Sequence, residues 1–272
     1  MNGYQALRRG CAWLDLAARG RIEARGRDRA RFLHNVTSND VKKMVPGDAC
    51  YAFLLTPQGR IVADLQLLCL PDRFLIDTEP ELAEKVRQHI LKYKVADQVE
   101  LVDITGETTA IGVEGPGAPE LKPPQGDYIV APFTVTGQPG YRIYTPAAAR
   151  DEIARYLESA GAVAAAASEA RTVRIENGKP RYGEDILETS LPQETEQMQA
   201  VSFTKGCYIG QEIVERIRAR GHVHRHLVRL EIAASEPPAA GKQTIEGREV
   251  EVTSAVYSPE LGRVVALGYA RE

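Results

Sequence analysis

The chain has 272 residues, and its 34 lysines and arginines nearly balance its 37 aspartates and glutamates, giving a net charge of −3. Hydrophobic residues make up 43% and charged residues 26%, which excludes a disordered or collagen-like chain and is typical of a globular protein of one to three domains. The near-zero net charge argues against bulk nucleic-acid binding, which depends on neutralising phosphates.

The cysteines and the N-terminus indicate a compartment. The four cysteines are too few and too scattered to form a disulfide framework. Residues 1–10 lack the apolar core of a signal peptide, and no apolar run approaches the roughly 20 residues that span a bilayer. We therefore expect reduced thiols and a cytoplasmic protein without a membrane segment.

Strands and helices alternate through the first part of the chain. Apolar patterning predicts strands at residues 12–16 and 21–25 and a helix at 28–36 with Asp28 as its N-cap. Two runs separated by Thr-Pro-Gln-Gly at 56–59 predict a hairpin, and residues 79–95 predict one amphipathic helix. The two runs of the hairpin are the strands predicted at 51–55 and 61–70, and a further strand is predicted at 73–77.

The later part of the chain changes character. Strands at 99–104, 108–113, 128–130 and 141–144 and helices at 147–160 and 167–175 complete an α+β pattern. From residue 222 onwards short strands alternate with turns, which predicts a small all-β unit. We therefore predict two domains, an α+β region of two interleaved subdomains at 1–220 and a C-terminal domain at 221–272.

The most concentrated motif is Lys-Gly-Cys-Tyr-Ile-Gly-Gln-Glu at 205–212, followed by a helical pattern. A cysteine close to a helix N-terminus and to a lysine is stabilised as a thiolate, which predicts that Cys207 is a functional thiol with Lys205 assisting it. The alternative, a small cysteine packed at a tight turn, stays open. Cys11, Cys50 and Cys69 lie beside apolar runs and are expected to serve packing.

Other polar residues allow competing interpretations. His222, His224 and His226 alternate and could bind a metal on one strand face, but a solvated face is preferred because no carboxylate lies nearby in sequence. Arginines crowd residues 19–31 and 216–229, and they would form a basic patch only if the fold brought the two runs together.

Two carboxylates stand in apolar surroundings. Asp64 interrupts the run Ile-Val-Ala-Asp-Leu at 61–65, and Glu176 ends a helical pattern. A carboxylate in such a place needs hydrogen-bond donors or a raised pKa, as in sites that bind heterocycles or accept protons. A solvent-facing position of Asp64 on an edge strand is equally compatible with the pattern.

These motifs resemble a known family. Residues 205–212 resemble the signature of the YgfZ-type iron-sulfur cluster assembly proteins at every specified position. Residues 32–41, 58–65, 174–178 and 191–194 are similar to segments of the wider folate-binding superfamily that contains the glycine-cleavage aminomethyltransferase, or T-protein. The transferases lack the cysteine that stands at position 207 here, so the resemblance is to the YgfZ type.

The resemblance implies a ring-like arrangement of folate-binding α+β subdomains with a small C-terminal β-barrel. It implies tetrahydrofolate or a derivative as cofactor, with Asp64 near the reactive folate nitrogens and Glu176 anchoring the pterin ring. Asn39 and Tyr93 are carried over to the cofactor site on local context, and no metal-ligating residues are assigned.

The resemblance leaves three functions open. The first is an accessory factor in iron-sulfur cluster assembly or repair, with Cys207 as its thiol and assembly or client proteins, such as tRNA-modifying enzymes, as partners. The second is a folate-dependent aminomethyltransferase or related one-carbon transferase that uses Asp64. The third is a non-catalytic adaptor that binds a partner through its arginines.

Overall fold

The structure, a computed structural model, describes residues 1–221, 223–245 and 247–271. Within these ranges the helices are α1 (Gly3–Arg9), α2 (Arg29–Val36), α3 (Ala83–Leu91), α4 (Arg150–Ser159), α5 (Ala167–Glu176) and α6 (Gln211–Arg220). The strands are β1 (Ala12–Asp15), β2 (Gly20–Arg25), β3 (Ala49–Leu55), β4 (Ile61–Cys69), β5 (Arg73–Thr78), β6 (Glu100–Asp103), β7 (Thr108–Glu114), β8 (Ile129–Ala131), β9 (Gly140–Pro146), β10 (Val163–Ala164), β11 (Arg225–Ile232), β12 (Gly241–Ile245), β13 (Arg248–Ser258) and β14 (Arg263–Arg271). The predicted mixed α+β class is confirmed.

The chain divides into two compact units, each made of segments distant in sequence. The first unit consists of Met1–Ala18, Gly106–Pro180 and Val228–Ala270, and the second mainly of Arg19–Thr105 and Arg181–Leu227. The C-terminal strands therefore group with the first unit. The domain boundary predicted at residue 220 and the ring-like arrangement of subdomains stay predictions.

The first unit contains a five-stranded sheet of order β10-β1-β7-β9-β8. β1 pairs antiparallel with β7 and parallel with β10. Alternating side chains of the sheet, among them Ile111 and Ile143, form a buried cluster with Ile153 and Leu157 of α4. In a second buried cluster, Ala12 and Leu14 of β1 pack with Leu7 of α1 and Val173 of α5.

The second sheet of the first unit corrects a prediction. Its four strands have the order β11-β14-β13-β12, and within the described residues the outer strands β11 and β12 do not pair. The sheet is therefore open, and no closed barrel is present in the part of the chain that the structure describes. Barrel closure needs hydrogen bonds between the first and last strands, and alternating patterns do not distinguish an open sheet from a closed one.

The second unit is built on a five-stranded sheet of order β3-β4-β5-β2-β6. The predicted hairpin joins β3 to β4, and its turn places Gly59 at φ 74°, a conformation that glycine adopts without a side-chain clash. Both faces of the sheet are largely buried, and Phe53, Leu65, Leu67 and Ile76 belong to the main core. Of the predicted site residues, this sheet holds Asp64, on β4.

The helices of the second unit pack on this sheet or follow the motif at 205–212. α2 buries Phe32, Leu33 and Val36 in the core. The helix predicted over 79–95 is shorter, because a 3₁₀ turn occupies Pro80–Leu82 and α3 ends at Leu91. Of the described helices, none has the length and apolar character required to cross a membrane.

Candidate functional site

Asp64 lies in the middle of β4 and is held by both neighbouring strands. The phenol of Tyr51 on β3 donates a hydrogen bond of 2.9 Å to Asp64 Oδ2. The hydroxyl of Thr78 on β5 donates one of 2.9 Å to the backbone carbonyl of Asp64. β4 is a central strand and Asp64 is half-buried, so the carboxylate is recessed within the unit yet retains accessible surface. The edge-strand alternative is wrong.

A buried ion-pair network stands beside Asp64. Arg19 precedes β2, and its guanidinium binds Asp77 at 2.6 Å and Glu79 at 2.5 Å. Arg181 binds the other oxygen of Glu79 at 2.8 Å. Burial alone would raise the pKa of Glu79, but the two arginines outweigh it and hold that pKa below its usual value. Glu79 is therefore a fixed negative charge.

The environment of Asp64 disfavours its ionised form. Burial raises the pKa of Asp64 to about 6, and the negative charge of Glu79 adds to the rise. The hydrogen bond from Tyr51 and the charge of Arg19 act in the opposite direction. A carboxyl group that titrates near neutral pH can accept or donate a proton, which suits acid–base chemistry.

Asn39 is hydrogen-bonded to Tyr51, the residue whose phenol binds Asp64. Its amide nitrogen donates hydrogen bonds of 2.8 Å to the carbonyl of Tyr51 and 2.9 Å to the carbonyl of Gln199. Its side-chain oxygen accepts the backbone N–H of Asp40 at 2.9 Å. The side chain of Asn39 is thus engaged by the protein, and its predicted role in binding a cofactor stays a prediction.

Lys205 is buried against the C-terminal end of α2. Its ammonium donates to three backbone carbonyls, those of His34, Thr37 (2.5 Å) and Asn39 (2.8 Å), and lies 5.0 Å from the ring of Tyr208. Burial lowers the pKa of Lys205 to about 8, so the side chain remains mostly charged at pH 7. A cation is favourable at the negative end of a helix, which gives Lys205 a structural function. Its predicted catalytic role stays a prediction.

Most of the motif at 205–212 is used in packing, whereas Cys207 is exposed. Tyr208 is buried, and the N–H of Ile209 donates to the carbonyl of Asn35 at 3.3 Å. Gly210 has φ 83°, and a Cβ there would lie 2.6 Å from the carbonyl oxygen of Thr56. α6 begins at Gln211, so Cys207 stands before the N-cap residue rather than in the first helical turn.

The other three cysteines have environments unlike that of Cys207. Cys69 is buried, and Cys11 and Cys50 are partly buried. Burial raises the pKa of all three thiols, that of Cys50 to about 12. These environments agree with the packing function expected for them.

The histidine repeat at 222–226 meets a carboxylate at one of its positions. His226 Nδ1 lies 2.6 Å from a carboxylate oxygen of Glu196, a neighbour that the local sequence did not reveal. His224 is exposed, and His222 lies outside the described residues. Among the residues that the structure describes, no three His, Cys, Asp or Glu side chains are grouped as metal ligands would be.

Glu176 lies in the first unit, at the end of α5, and its carboxylate is buried. Oε1 accepts hydrogen bonds from the phenol of Tyr4 at 2.7 Å and from the hydroxyl of Ser258 at 2.6 Å. Oε2 has no hydrogen-bond partner, and the nearest cation is Arg8, whose Nε lies 3.6 Å away. Buried carboxylate oxygens are rarely left without a donor, so Oε2 is a place where a ligand N–H could bind. Tyr4 and Arg8 also line a cleft of about 430 Å³ in this unit.

Tyr93 lies in the turn that follows α3, not within a helix as predicted. Its ring is partly buried against the core of the second unit and meets the imidazole of His89 edge-on, with 5.4 Å between ring centroids. The described residues thus connect Asp64, Asn39 and Lys205 within the second unit. Glu176 belongs to the first unit, and the ring of Tyr93 meets His89 and the ammonium of Lys92.

Comparisons with known proteins agree with this fold. Residues 2–122 match the family model described as the GCVT N-terminal domain. This part of the chain is similar to that domain. Over 98% of its length it is 28% identical to an aminomethyltransferase of Rubrobacter xylanophilus and 27% identical to one of a Nostoc species, covering 77% and 78% of those proteins. The similarity to these two proteins extends over nearly the whole chain.

A solved structure extends the comparison to the whole fold. The aminomethyltransferase T of the glycine cleavage system from Bartonella henselae superposes with a TM-score of 0.88 at 21% identity, covering 99% of this chain and 80% of that protein. At this level of identity the likeness shows the GcvT fold alone.

Several residues of the site were not found from the sequence. Tyr51, Glu79 and Arg19 surround Asp64, and Tyr4 and Ser258 bind Glu176. Tyr51 was within reach of prediction, because the hairpin register pairs Phe53 with Asp64 and so places Tyr51 on the same face, one diagonal step away. Ser258 was not, because it is 82 residues from Glu176.

Proposed function

We propose that the protein binds tetrahydrofolate or a derivative, with Glu176 as the anchor of the pterin ring. The observation that carries this proposal is the buried Oε2 of Glu176, which lacks a hydrogen-bond donor. The aminopyrimidine edge of a pterin presents N–H donors, and a buried carboxylate is a suitable acceptor for them. Because Oε1 already accepts two hydroxyl groups, the contact would use Oε2.

Asp64 is proposed as a cofactor residue that acts near the reactive folate nitrogens. Tetrahydrofolate, when bound, supplies nitrogens that carry one-carbon groups. Asp64 offers a recessed carboxyl group whose pKa is raised by burial to about 6, so it can exchange a proton at physiological pH. The chemistry of both carboxylates therefore fits the cofactor.

For the cellular function we propose an accessory factor in iron-sulfur cluster assembly or repair, supporting cluster enzymes such as those that modify tRNA. This proposal is supported by a difference in exposure among the residues of the motif at 205–212. Lys205, Tyr208 and Gly210 contact the protein, whereas the thiol of Cys207 is exposed. An exposed thiol can reach a partner protein or its cluster, as transfer or thiol exchange requires.

A one-carbon transferase is the second candidate. The titration of Asp64 near pH 6 and the relationship to aminomethyltransferases favour it. It predicts the formation of methylenetetrahydrofolate from a carrier-bound aminomethyl group, with release of ammonia and of the free carrier, and it requires Asp64 rather than Cys207.

A complementation experiment separates the two. In cells defective in this protein, we expect Cys207→Ser to lose the activity of iron-sulfur enzymes and Asp64→Asn to retain part of it. Cys11→Ser is the control, because its thiol is half-buried in the other unit. Full complementation by Cys207→Ser would contradict the accessory function. Turnover of an aminomethyl donor by purified wild type, abolished in Asp64→Asn, would establish the transferase.

A further inference from the structure

Tyr51 forms hydrogen bonds with both Asp64 and Asn39 in the second unit. Its phenol donates to Asp64 Oδ2 at 2.9 Å, and its backbone carbonyl accepts the side-chain amide of Asn39 at 2.8 Å. The backbone carbonyl of Asn39 in turn accepts the ammonium of Lys205 at 2.8 Å. Three consecutive hydrogen bonds therefore join the motif lysine to the carboxylate of Asp64.

Some neighbours of Asp64 contact its backbone, and others act on its carboxylate. Thr78 binds only the backbone carbonyl of Asp64, and Phe53, which is paired directly with Asp64, has no polar atom on its side chain. Glu79 and Arg19 act on Asp64 through their charges. Tyr51 provides the hydrogen bond from a side chain to the carboxylate itself.

We propose that Tyr51 is a positioning residue for Asp64: its phenol occupies Oδ2 and fixes the orientation of the carboxylate, and Asn39 and Lys205 hold Tyr51 in place. This inference rests on the proposed function, because it is Asp64 as a cofactor residue that needs a fixed orientation. Asn39 then acts on the site through Tyr51 and needs no contact with a ligand. The proposal explains why Asn39 belongs to the site although its side chain is used by the protein.

The hydrogen bond also has an electrostatic effect that can be measured. A donor to a carboxylate stabilises the ionised form, because the protonated group is a weaker acceptor. Without the phenol, Asp64 would retain its proton to a higher pH. Glu79 acts in the opposite direction, so replacing it by a neutral residue would favour ionisation of Asp64.

The test is a carboxyl ¹³C NMR titration of Asp64 in the folate-free protein, with the signal assigned by its loss in Asp64→Asn. We expect Tyr51→Phe to move the titration midpoint upward by about one pH unit and Glu79→Gln to move it downward. Thr78→Val is the matched control, since it removes only the hydrogen bond to the backbone, and its midpoint should equal that of wild type. An unchanged midpoint in Tyr51→Phe would overturn the proposal.

A second measurement does not depend on the folding of a variant. In wild type, the ¹³Cζ signal of Tyr51 should change with pH at the same midpoint as Asp64, because the phenol donates to that carboxylate. A signal without such a change would also overturn the proposal. Neither titration contains folate, so failure of wild type to bind tetrahydrofolate would remove the proposed function and leave this result to stand by itself.

Discussion

The ammonium of Lys205 donates a hydrogen bond of 2.8 Å to the backbone carbonyl of Asn39, at the point where the chain leaves α2. Through this bond and two others, the segment before Cys207 is fixed to the end of a helix. The lysine of the motif thus has a structural function that is independent of any chemistry at the thiol.

Replacing Lys205 by methionine should destabilise the protein. The substitution leaves three carbonyls without their donor, and a free energy of unfolding lower by about 3 kcal/mol is expected. Urea unfolding measures it, with Lys42→Met as control because that side chain is exposed and should change stability by less than about 0.5 kcal/mol. Equal stability of the two variants would contradict the structural function.

Gly210 should tolerate alanine much less well than Gly206. Both have positive φ, but a Cβ at Gly210 would lie 2.6 Å from the carbonyl oxygen of Thr56, whereas one at Gly206 meets nothing within 4 Å. In urea unfolding, we expect the free energy of unfolding to fall by about 3 kcal/mol or more for Gly210→Ala and by about 1 kcal/mol for Gly206→Ala. Similar losses for both would show that the close approach to Thr56 is not tight.

Much of the secondary structure was predictable, and the departures have physical causes. The hairpin of β3 and β4 was predicted from its Thr-Pro-Gln-Gly turn, because such turn residues act locally. α1 was missed, although Asn2 and Gln5 form a reciprocal cap, because seven residues are too few to show a clear helical period. Asp28 stands at the N-cap of α2, but its side chain accepts the N–H of Gln98 instead.

The site was predictable residue by residue, but its assembly was not. Asp64 and Glu176 were identified because charged groups in apolar surroundings need partners, which the sequence shows without any structure. Their partners Tyr51, Glu79, Tyr4 and Ser258 depend on strand register and on contacts distant in sequence. The open C-terminal sheet, in place of the predicted barrel, also depends on long-range pairing.

Asp64 should weaken the fold above pH 6 and not below pH 4. Its pKa is raised by burial from 3.8 to about 6, so the native state binds more protons than the unfolded state in that interval. Stability from this group is therefore complete below about pH 4 and is lost as the pH rises through about 6. Asp64→Asn should be more stable than wild type at pH 8 by about 2 to 3 kcal/mol.

Urea unfolding at the two pH values measures this effect of Asp64. The free energies of unfolding of Asp64→Asn and wild type should differ strongly at pH 8 and be nearly equal at pH 4. Asp77→Asn is a useful contrast, since Asp77 is paired with Arg19 and its neutralisation should destabilise the protein at pH 8. A destabilised Asp64→Asn at pH 8 would contradict the raised pKa.

Cys207 should be the first thiol to react with iodoacetamide. It is exposed, whereas burial raises the pKa of Cys11, Cys50 and Cys69 and lowers their thiolate fraction. We expect the other three to react at least about tenfold more slowly at pH 7.5, because each has less thiolate and less access. Peptide mass spectrometry at short times measures the order, and equal labelling of Cys50 would contradict the assignment.

A calorimetric titration of tetrahydrofolate into wild type, Glu176→Gln and Glu152→Gln tests the proposed binding of folate by Glu176. The glutamine at position 176 places an N–H₂ donor where Oε2 would accept from the pterin, so affinity should fall at least about tenfold. Glu152 is an exposed residue of α4 in the same unit as Glu176, and its variant should bind like wild type. Saturable binding that is weakened only in Glu176→Gln is the predicted result, and no saturable binding by wild type, or equal affinity in all three, would contradict it.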